Sequence, residues 1–367
     1  MQGAKLGTSD IVLKVQESNP LHLFYEFNNH GTKLTHRARH ALHFENNNFL
    51  QSADTFSGSF SLAEQGAFAA GSVQYGHDIE KWDTSLDMNA SYVETMLIGH
   101  LKSSELKGES LNITPSLTKA FIKKPSFKLE GILAFEIKDS KTLTDDFKSN
   151  FDRMRVINVG PRLTWQDASG RTILSSEVHQ GLPRFLGGSR EADINASRQN
   201  SGGEFIYYTG TAVRVQRLPE SCFLVTKATG QWSRDNLTSL EQFRLGGAST
   251  VRGYPESDSS GESGFVLSAE LSVPAPWISK DWGVPFTKKK WRDALRFVGF
   301  LEGGKTFIRE RSTEDVVKNK RLIGTGLGVR VDLDRTFSLQ ADLGFPIGDK
   351  STDENQKQLH LYLRTGF

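Results

Sequence analysis

Hydrophobic and polar residues alternate one by one over long stretches of this chain. In the clearest stretch, Thr84 to Tyr92, one face carries Thr84, Leu86, Met88, Ala90 and Tyr92, while the residues between them are polar. Similar alternation recurs in 111–121, 127–138 and 337–344. Side chains point to opposite faces of a β-strand with a period of two, and a helix cannot separate residues with this period. The pattern therefore predicts β-strands with one apolar and one polar face.

Segments of this kind follow one another along almost the whole chain. We predict sixteen strands, over 21–28, 35–45, 54–64, 68–77, 82–95, 109–121, 126–138, 153–166, 171–180, 203–216, 221–233, 264–273, 295–304, 322–331, 336–344 and 358–367. An even number lets an up-and-down antiparallel sheet close on itself, as in single-chain barrels of bacterial outer membranes. The predicted fold class is all-β: a sixteen-stranded antiparallel transmembrane β-barrel with long surface loops.

The connections between the predicted strands differ in length in a regular way. Tight turns are predicted at 122–125, 167–170, 217–220 and 332–335. Long connections alternate with them, at 96–108, 139–152, 181–202, 234–263, 305–321 and 345–357. Two connections depart from the rule, since 65–67 is short and 274–294 is long. Short turns on one side and long polar loops on the other are typical of outer-membrane barrels, whose long loops lie outside the cell.

Aromatic residues cluster near the predicted short turns, on the apolar faces of the strands. The set is Phe56, Trp82, Phe121, Phe127, Trp165 and Phe337. Outer-membrane barrels carry such a girdle where the membrane meets water. The alternative is a soluble β-sandwich with buried aromatics, but a sandwich core for so large a sheet system would need a more apolar composition.

Composition becomes informative once the alternation is known. The 367 residues include 45 Lys and Arg against 43 Asp and Glu, a formal net charge of +2. That near balance argues against nucleic-acid binding, which usually needs a basic excess. Only 37% of the residues are hydrophobic, and the mean hydropathy is −0.42. A barrel with a lipid-facing apolar surface and a polar lumen averages to such values.

Two further features narrow the class. The chain has no run of roughly 18 apolar residues, so no transmembrane helix is predicted. Its single cysteine, Cys222, excludes a disulfide within the chain. The segment Asp10–Gln16 has the pattern of one strand ahead of the barrel, and no signal peptide precedes it. Because an outer-membrane protein must be exported, we expect the sequence to be a fragment that lacks its natural N-terminus.

The longest predicted surface loop, 234–263, contains a glycine-rich run that ends in an arginine and a tyrosine. The run is Leu245-Gly246-Gly247-Ala248-Ser249-Thr250-Val251-Arg252-Gly253-Tyr254. Glycines let such a segment fold tightly, and the run presents a single positive charge. Pro255 and the polar segment Glu256–Ser263 follow it as a cap.

The motif Gly-Gly-x-x-x-Val-Arg-Gly-Tyr resembles the signature of the sixth surface loop in the outer-membrane protein transport and assembly superfamily of sixteen-stranded barrels. The preceding Glu241–Gly247 resembles the version in two-partner secretion transporters, the haemolysin secretion/activation protein family. Phe135–Ser140 and Leu21–Gly31 are similar to that family more loosely. The resemblance implies a barrel over 19–367, preceded in 1–18 by the end of a truncated periplasmic polypeptide-transport-associated domain.

The resemblance also implies a site inside the barrel. In that family the loop folds into the lumen, and its arginine pairs with an acidic residue in a Phe-x-Asp-x-Gly motif on the thirteenth strand. Here Arg252 would pair with Glu302 in Phe300-Leu301-Glu302-Gly303-Gly304, where Glu replaces Asp and the pair is expected to be longer or less well fixed. The fourteenth strand offers Gly324, Gly326 and Gly328 at inward positions, which would leave room for the loop. The alternative is a solvated Arg252 and glycines that are merely flexible.

The last segment, 358–367, resembles the C-terminal recognition strand of outer-membrane barrels. It ends in Phe367, with Leu359, Leu361 and Leu363 on the same face. Such a strand closes the barrel against the first one. An ordinary final strand is the alternative.

Other candidate chemistry is poor. His36, His40 and His43 lie close in sequence, but without a nearby Cys, and with His43 on the opposite face, no metal site is expected. No nucleophile elbow, phosphate-binding glycine loop or paired-Cys motif is present. Charges of both signs are predicted to line the lumen: Arg37, Arg39, Lys128, Arg162, Arg214, Arg330 and Arg364 with Asp87, Glu130, Glu136, Glu204, Glu270, Glu302 and Asp342. This lining suits a water-filled conduit, so neither an enzyme nor a cofactor is expected.

The predicted function is export of a partner polypeptide through a barrel in the bacterial outer membrane. The partner would cross the lumen in an extended form and fold outside, with no need for ATP or metal. Outer-membrane lipid, and the barrel assembly machinery during biogenesis, are the other expected partners, and the barrel is expected to be a monomer. One alternative is a barrel assembly or insertion factor of the same superfamily. A general porin or a barrel-anchored enzyme is a further alternative, but a porin would not need Val251–Tyr254.

Overall fold

The computed structural model describes residues 19–98, 106–144, 147–275, 277–279, 281–285, 287, 289–309, 319–333 and 337–366. The strands in these residues are β1 Leu21–Asn28, β2 Arg39–Asn46, β3 Asp54–Leu62, β4 Phe68–Ile79, β5 Thr84–Met96, β6 Lys107–Lys124, β7 Phe127–Thr144, β8 Phe147–Asp167, β9 Gly170–Gly181, β10 Ile206–Arg217, β11 Phe223–Ser233, β12 Phe243–Leu245, β13 Ser259–Gly261, β14 Ser263–Pro274, β15 Leu295–Phe307, β16 Arg321–Asp332, β17 Phe337–Pro346 and β18 Gln358–Gly366. Short helical turns occupy some of the connections: α1 Trp291–Ala294 and 3-10 turns at Lys33–Thr35, Glu64–Gly66, Glu80–Trp82, Phe185–Gly187 and Pro219–Ser221.

Sixteen of these strands form one closed antiparallel barrel. Each strand pairs with its neighbours in sequence, and β1 pairs with β18 to close the sheet. The exception is β11, which pairs with β14 because β12 and β13 form a separate two-stranded sheet within the connection between them. Every predicted strand coincides with a barrel strand, so the predicted fold is confirmed.

The alternation in the sequence becomes the two faces of the barrel. On the outside, Leu42 is 62% exposed and Leu327 is 71% exposed. The predicted girdle residues Trp82, Phe121 and Trp165 are also on the outer surface, next to short turns. Every backbone group of such a closed sheet can pair with a neighbouring strand, which is what a hydrocarbon environment demands. Within the described residues, no helix has the length and apolarity needed to cross a membrane.

One prediction about the connections was wrong. The connection predicted over 139–152 is largely strand, since β7 continues to Thr144 and β8 begins at Phe147. The hairpin is held there by ladder pairing and by an ion pair between Lys141 and Glu109 of β6 (2.8 Å). Strand register determines this extension, and the mixed polar composition of 139–152 concealed it.

Three residues predicted to line the lumen lie elsewhere. Arg214 pairs in register with Thr172, which pairs with Trp165 of the outer face, so Arg214 faces outward. It donates there to the Asp167 carboxylate (2.8 Å). Glu204 precedes β10, and Arg37 lies between β1 and β2, where it pairs with Asp353.

Candidate functional site

The connection between β11 and β14, residues 234–262, is called the lumen loop below. Its β12 and β13 form the stem of a hairpin whose tip spans 246–258. Leu245, Val251 and Tyr254 are fully buried there, packed with Val266 of β14 and Leu322 of β16. Since inward-facing side chains of the wall are the partners, the tip lies inside the barrel against one side.

Hydrogen bonds within the tip close it into a compact turn. The Gly246 amide donates to Oγ1 of Thr250 (2.8 Å), and the Ala248 amide donates to Oε1 of Glu256 (2.7 Å). Gly253 adopts a φ of 106°, a conformation that residues with a side chain rarely adopt. A Cβ at this position would also lie 2.9 Å from the backbone of Phe345, so the tip touches β17 directly.

Arg252 is bound to Glu302 by three hydrogen bonds. The Arg252 amide donates to Oε2 of Glu302 (2.6 Å), while Nε and Nη2 donate to Oε1 (2.9 and 2.7 Å). Arg252 is 6% exposed and Glu302 is 5% exposed. The sequence placed these two residues together by resemblance, and Glu in place of Asp still permits direct contact.

Arg252 also belongs to a larger ionic cluster that the sequence did not define. Its Nη1 lies 2.7 Å from Glu270 of β14 and 3.1 Å from Asp342 of β17. Asp342 accepts two further bonds from Arg330 of β16 (2.6 and 2.8 Å). Burial disfavours the charge on Arg252, but the bond to Glu302 and the surrounding carboxylates raise its pKa above the usual value. The guanidinium therefore stays charged in its buried position.

Phe300 forms the floor of the cluster. Its ring centroid lies 3.6 Å from Cζ of Arg252, in the cation–π arrangement that a planar guanidinium favours. Phe300 is 4% exposed, so the loop covers it almost completely. Phe300 and Glu302 are two residues apart on β15, so the alternation of the strand puts both side chains on its inner face.

The inward glycines of β16 lie opposite the residues of the cluster. Gly324 pairs in register with Glu302, and Gly326 pairs with Phe300. A Cβ on Gly324 would lie 2.0 Å from the Arg252 carbonyl oxygen, and one on Gly326 would lie 2.4 Å from the Phe300 ring. Gly328 pairs with Asp342, whose carboxylate would lie 1.9 Å from an added Cβ.

Two more glycines of the barrel wall leave space for the lumen loop. A Cβ on Gly304 of β15 would lie 2.9 Å from the side chain of Leu245. A Cβ on Gly344 of β17 would lie 2.5 Å from the amide of Gly253. Gly304 belongs to the quoted motif, whereas Gly344 was missed. The available signal was parity, because Gly344 shares a face with Asp342.

Tyr254 binds the tip to the wall near the start of β16 and just beyond the end of β17. Its hydroxyl donates to the Ile323 carbonyl (3.3 Å) and accepts from the Gly348 amide (3.0 Å). Farther along the loop, Asp258 pairs with Lys320 (3.1 Å) and accepts from the Thr352 amide (2.8 Å). These contacts join the lumen loop to the two connections that follow it.

The first leg of the lumen loop, residues 234–242, crosses to the other side of the barrel. Glu241, 3% exposed, contacts Lys138 of β7 (3.1 Å) and accepts from the Tyr207 hydroxyl of β10 (2.8 Å). Leu237 packs with Met154 and Tyr207. The two segments that resembled the family, 135–140 and 241–247, thus meet through the Lys138–Glu241 pair.

The return leg is tied to its neighbours through Glu262. Its carboxylate contacts Arg198 of the connection between β9 and β10, and accepts from the Arg309 amide after β15 (2.7 Å). Gln242 of the first leg donates to the same carboxylate (2.9 Å). The loop is therefore fixed at its tip and at both legs.

The remaining sequence candidates do not join this site. His40 faces outward and bonds to the Tyr25 hydroxyl (2.7 Å), whereas His43 faces inward beside Glu26 (3.1 Å). His36 lies in the connection before β2. In the described part of the chain, no three His, Cys, Asp or Glu residues are arranged to hold a metal ion. Phe367 lies outside the described residues, as does 1–18.

Comparisons with known proteins place this geometry in context. The chain is 23% identical over 366 residues to the heme/hemopexin transporter protein HuxB of Haemophilus influenzae strain 86-028NP, covering 98% of this chain and 62% of HuxB. It is 26% identical over 199 residues to the outer membrane transporter CdiB of Dickeya dadantii, covering 54% of this chain and 32% of CdiB. The chain thus spans about three fifths of the length of its HuxB relative.

Solved structures share the fold. CdiB from Escherichia coli matches with a TM-score of 0.81 at 20% identity, over 100% of this chain and 66% of that one. BamA from Haemophilus ducreyi, lacking POTRA domains 1–3, matches with a TM-score of 0.63 at 12% identity, over 96% of this chain and 71% of that one. The family model described as haemolysin secretion/activation protein ShlB/FhaC/HecB matches residues 7–331. With its closed barrel and tucked loop, the chain belongs to the ShlB/FhaC/HecB family of haemolysin secretion/activation proteins.

Proposed function

We propose that this chain is the barrel of an outer-membrane transporter that exports a partner polypeptide from the periplasm to the cell surface. The observation that carries the proposal is the tip of the lumen loop, held inside the barrel by Arg252 and Glu302 against the wall formed by β14–β17. Family membership supports the same activity, and the names of HuxB and CdiB describe both relatives as transporters.

The mechanism needs a stable passage and no chemical step. The partner enters from the periplasm, crosses the lumen in an extended form, and folds outside. Folding outside biases movement in one direction, because a folded domain cannot return through the barrel. The lumen loop stabilises the wall formed by β14–β17, where Arg252 offsets the carboxylates of Glu302, Glu270 and Asp342.

The same proposal includes the setting of the barrel. Residues 1–18 are the end of a periplasmic polypeptide-transport-associated domain, and 19–367 form the barrel. The protein acts as a monomer surrounded by outer-membrane lipid, after insertion by the barrel assembly machinery. Phe367 serves as the C-terminal recognition residue during that insertion.

Barrel assembly or insertion is the second candidate function. It is favoured by the fold shared with BamA and by the contact between β1 and β18. Among the described residues, that contact comprises five residue pairs, from Phe24 with Gly366 to Asn28 with Tyr362, whereas β14 and β15 are joined by twelve. An insertion factor would act through this seam between the first and last strands, and a transporter acts through the lumen.

Depletion in the native cell separates the two functions. Loss of the transporter should remove the partner polypeptide from the cell surface and leave the amounts of other outer-membrane barrels unchanged. A general fall in barrel content, with the partner still exported by the remaining protein, would favour insertion instead. Re-expression of the chain carrying Arg244→Ala in the depleted cell is the control and should restore export, since Arg244 is an exposed residue of the lumen loop.

A further inference from the structure

The wall opposite the lumen loop has an unusual inner face. Strands β3–β6 pair in continuous register, so that inward side chains form rows across four strands. One row is Ser59, Ser72, Ser91 and Asn112; the next is Ser57, Gln74, Asn89 and Thr114. These eight residues are called the hydroxyl–amide face. All are uncharged, and each offers both hydrogen-bond donors and acceptors.

The face is open to the lumen. None of its eight side chains is buried, and five of them line one hollow together with Glu26 and Arg364. The lumen loop covers two other parts of the described inner wall. The lumen loop buries Glu302, Asp342 and Leu322 on one side, and its first leg covers Met154 and Tyr207 on the other.

The geometry points to the hydroxyl–amide face as the contact surface for an extended polypeptide in transit. The inference rests on the proposed export function and assigns the path within the lumen. Along a strand, inward side chains repeat about every 6.7 Å, and an extended polypeptide repeats its own outward groups with the same spacing. A chain running parallel to β3–β6 therefore meets donors and acceptors at the two successive repeats that the face provides on each strand.

The chemistry of the face suits a cargo of any sequence. Hydroxyl and amide groups exchange hydrogen bonds with the backbone, which is the same in every polypeptide. Each exchange replaces a bond to water, so its net value is only about 0.5–1.5 kcal/mol and the chain is not held in place. Because these two rows carry no charge, their own side chains neither attract nor repel acidic or basic segments.

Charged residues flank the face, with Glu45 in register with Ser57 and Asp87 two residues from Asn89, and some of the other charges have partners. His43 of β2 lies 3.1 Å from Glu26, and Arg364 of β18 lies over the Phe24 ring, 3.7 Å from its centroid. On the other flank, Asn112 of β6 pairs in register with Lys138 of β7. Lys138 forms ion pairs with Glu136 and Glu241. The two rows therefore form a neutral strip between ionic borders.

Disulfide trapping tests the path in the full-length protein inserted into liposomes. In a Cys222→Ser background, single cysteines replace Ser91, Thr114 or Ser268. Ser268 is the matched control, since it is an inward residue of β14 in register with Glu302, on the wall that carries the loop. The probe is an unfolded peptide of Gly, Ser, Asn and Val whose one central cysteine is activated as a disulfide with a small thiol, so that attack by a thiolate of the barrel forms the mixed disulfide and releases the small thiol. About thirty residues, roughly 100 Å when extended, exceed the thickness of the membrane.

We expect roughly tenfold more mixed disulfide at Ser91→Cys and Thr114→Cys than at Ser268→Cys. A small maleimide must label all three cysteines, which controls for access. Equal trapping at the three positions, or preference for Ser268→Cys, would overturn the assigned path but leave export intact. No trapping at any labelled cysteine would count against passage of polypeptides through this lumen, and so against the proposed function too.

Introducing negative charge into the face gives a second test, because a purely structural effect would not depend on the charge of the peptide. Ser72→Asp with Ser91→Asp should reduce trapping at Thr114→Cys of a peptide containing several Asp, and increase trapping of one containing several Lys. Ser268→Asp should change neither. If the cysteine at Ser91 instead reacted with cysteines placed in residues 1–18, the face would be a seat for the protein's own N-terminal region, and the proposal would fail.

Discussion

Removal of the Arg252 side chain is the sharpest test of the lumen loop. Arg252→Ala deletes the side-chain bonds to Glu302, Asp342 and Glu270 and keeps only the bond from the amide of residue 252 to Glu302. Glu302 is 5% exposed and has no other cation among its described ion pairs, so the substitution leaves a buried carboxylate with a backbone hydrogen bond but without a cation. Asp342 retains Arg330, which limits the damage on β17.

The free energy that the substitution costs follows from the burial of the Arg252–Glu302 pair. Breaking a buried ion pair by removing one partner costs about 3–5 kcal/mol. The wall itself is held by strand ladders, so this cost should appear as undocking of the tip while the barrel stays folded. A loss of about 3–5 kcal/mol lowers the docking equilibrium by roughly two to three and a half orders of magnitude.

Docking can be followed at Val251, which is fully buried in the docked tip. In a Cys222→Ser background, Val251→Cys should react slowly with a maleimide when Arg252 is present and orders of magnitude faster with Arg252→Ala. Export of the partner should be abolished or strongly reduced, while the barrel still inserts and remains heat-modifiable on gels. Arg244→Ala is the control and should behave as the parent, because Arg244 is exposed. Normal export together with unchanged Val251→Cys protection would refute the reasoning.

Three further substitutions test separate contacts of the loop. Gly324→Ala places a Cβ 2.0 Å from the Arg252 carbonyl and should expose Val251→Cys to maleimide, whereas Gly303→Ala, with its nearest neighbour at 3.7 Å, should not; equal protection in both would contradict the steric argument. Lys138→Met leaves Glu241 buried without its cation and should cost about 3–5 kcal/mol, seen as faster proteolysis of the first leg, and adding Glu241→Gln should restore part of the resistance. If the double variant is as sensitive as the single one, the pair is not the cause. Tyr254→Phe removes the bonds to Ile323 and Gly348 and should weaken docking by about 1–3 kcal/mol, measured as a smaller increase in Val251→Cys labelling than Arg252→Ala gives; an increase as large as that of Arg252→Ala would contradict this ranking.

The sequence predicted the barrel strands well because their signal is local. Thr84–Tyr92 alternates with the period of a strand, and tight turns such as 167–170 separate one alternating segment from the next. The prediction of strand ends was weakest where the length of a strand depends on its pairing with a neighbouring strand. The hairpin beyond Asp139 continues only because β7 and β8 remain in register up to Thr144 and Phe147.

The site was predicted in part. The resemblance of Gly246–Tyr254 and Phe300–Gly304 to family motifs predicted that Arg252 pairs with Glu302. Alternation along β16 predicted that Gly324, Gly326 and Gly328 lie on the inner face. Glu270, Asp342 and Arg330 were recognised as inward residues, but nothing in their spacing joined them to Arg252. Their meeting depends on the registers of β14–β17 and on the position of a loop that leaves one strand and returns to the next.

The alternation in the sequence assigned most strand residues correctly to the lipid face or the lumen face, because side-chain direction alternates along a strand; Arg214 is the exception among the strand residues predicted to line the lumen. Only the tertiary structure decided which lumen residues touch. Closing the sheet fixes how far each strand is shifted against its neighbours, and that shift sets Gly324 opposite Glu302 and Ser72 opposite Ser91. Contacts such as Arg252 with Asp342, ninety positions apart, follow from that closure and from the depth to which the loop folds inward.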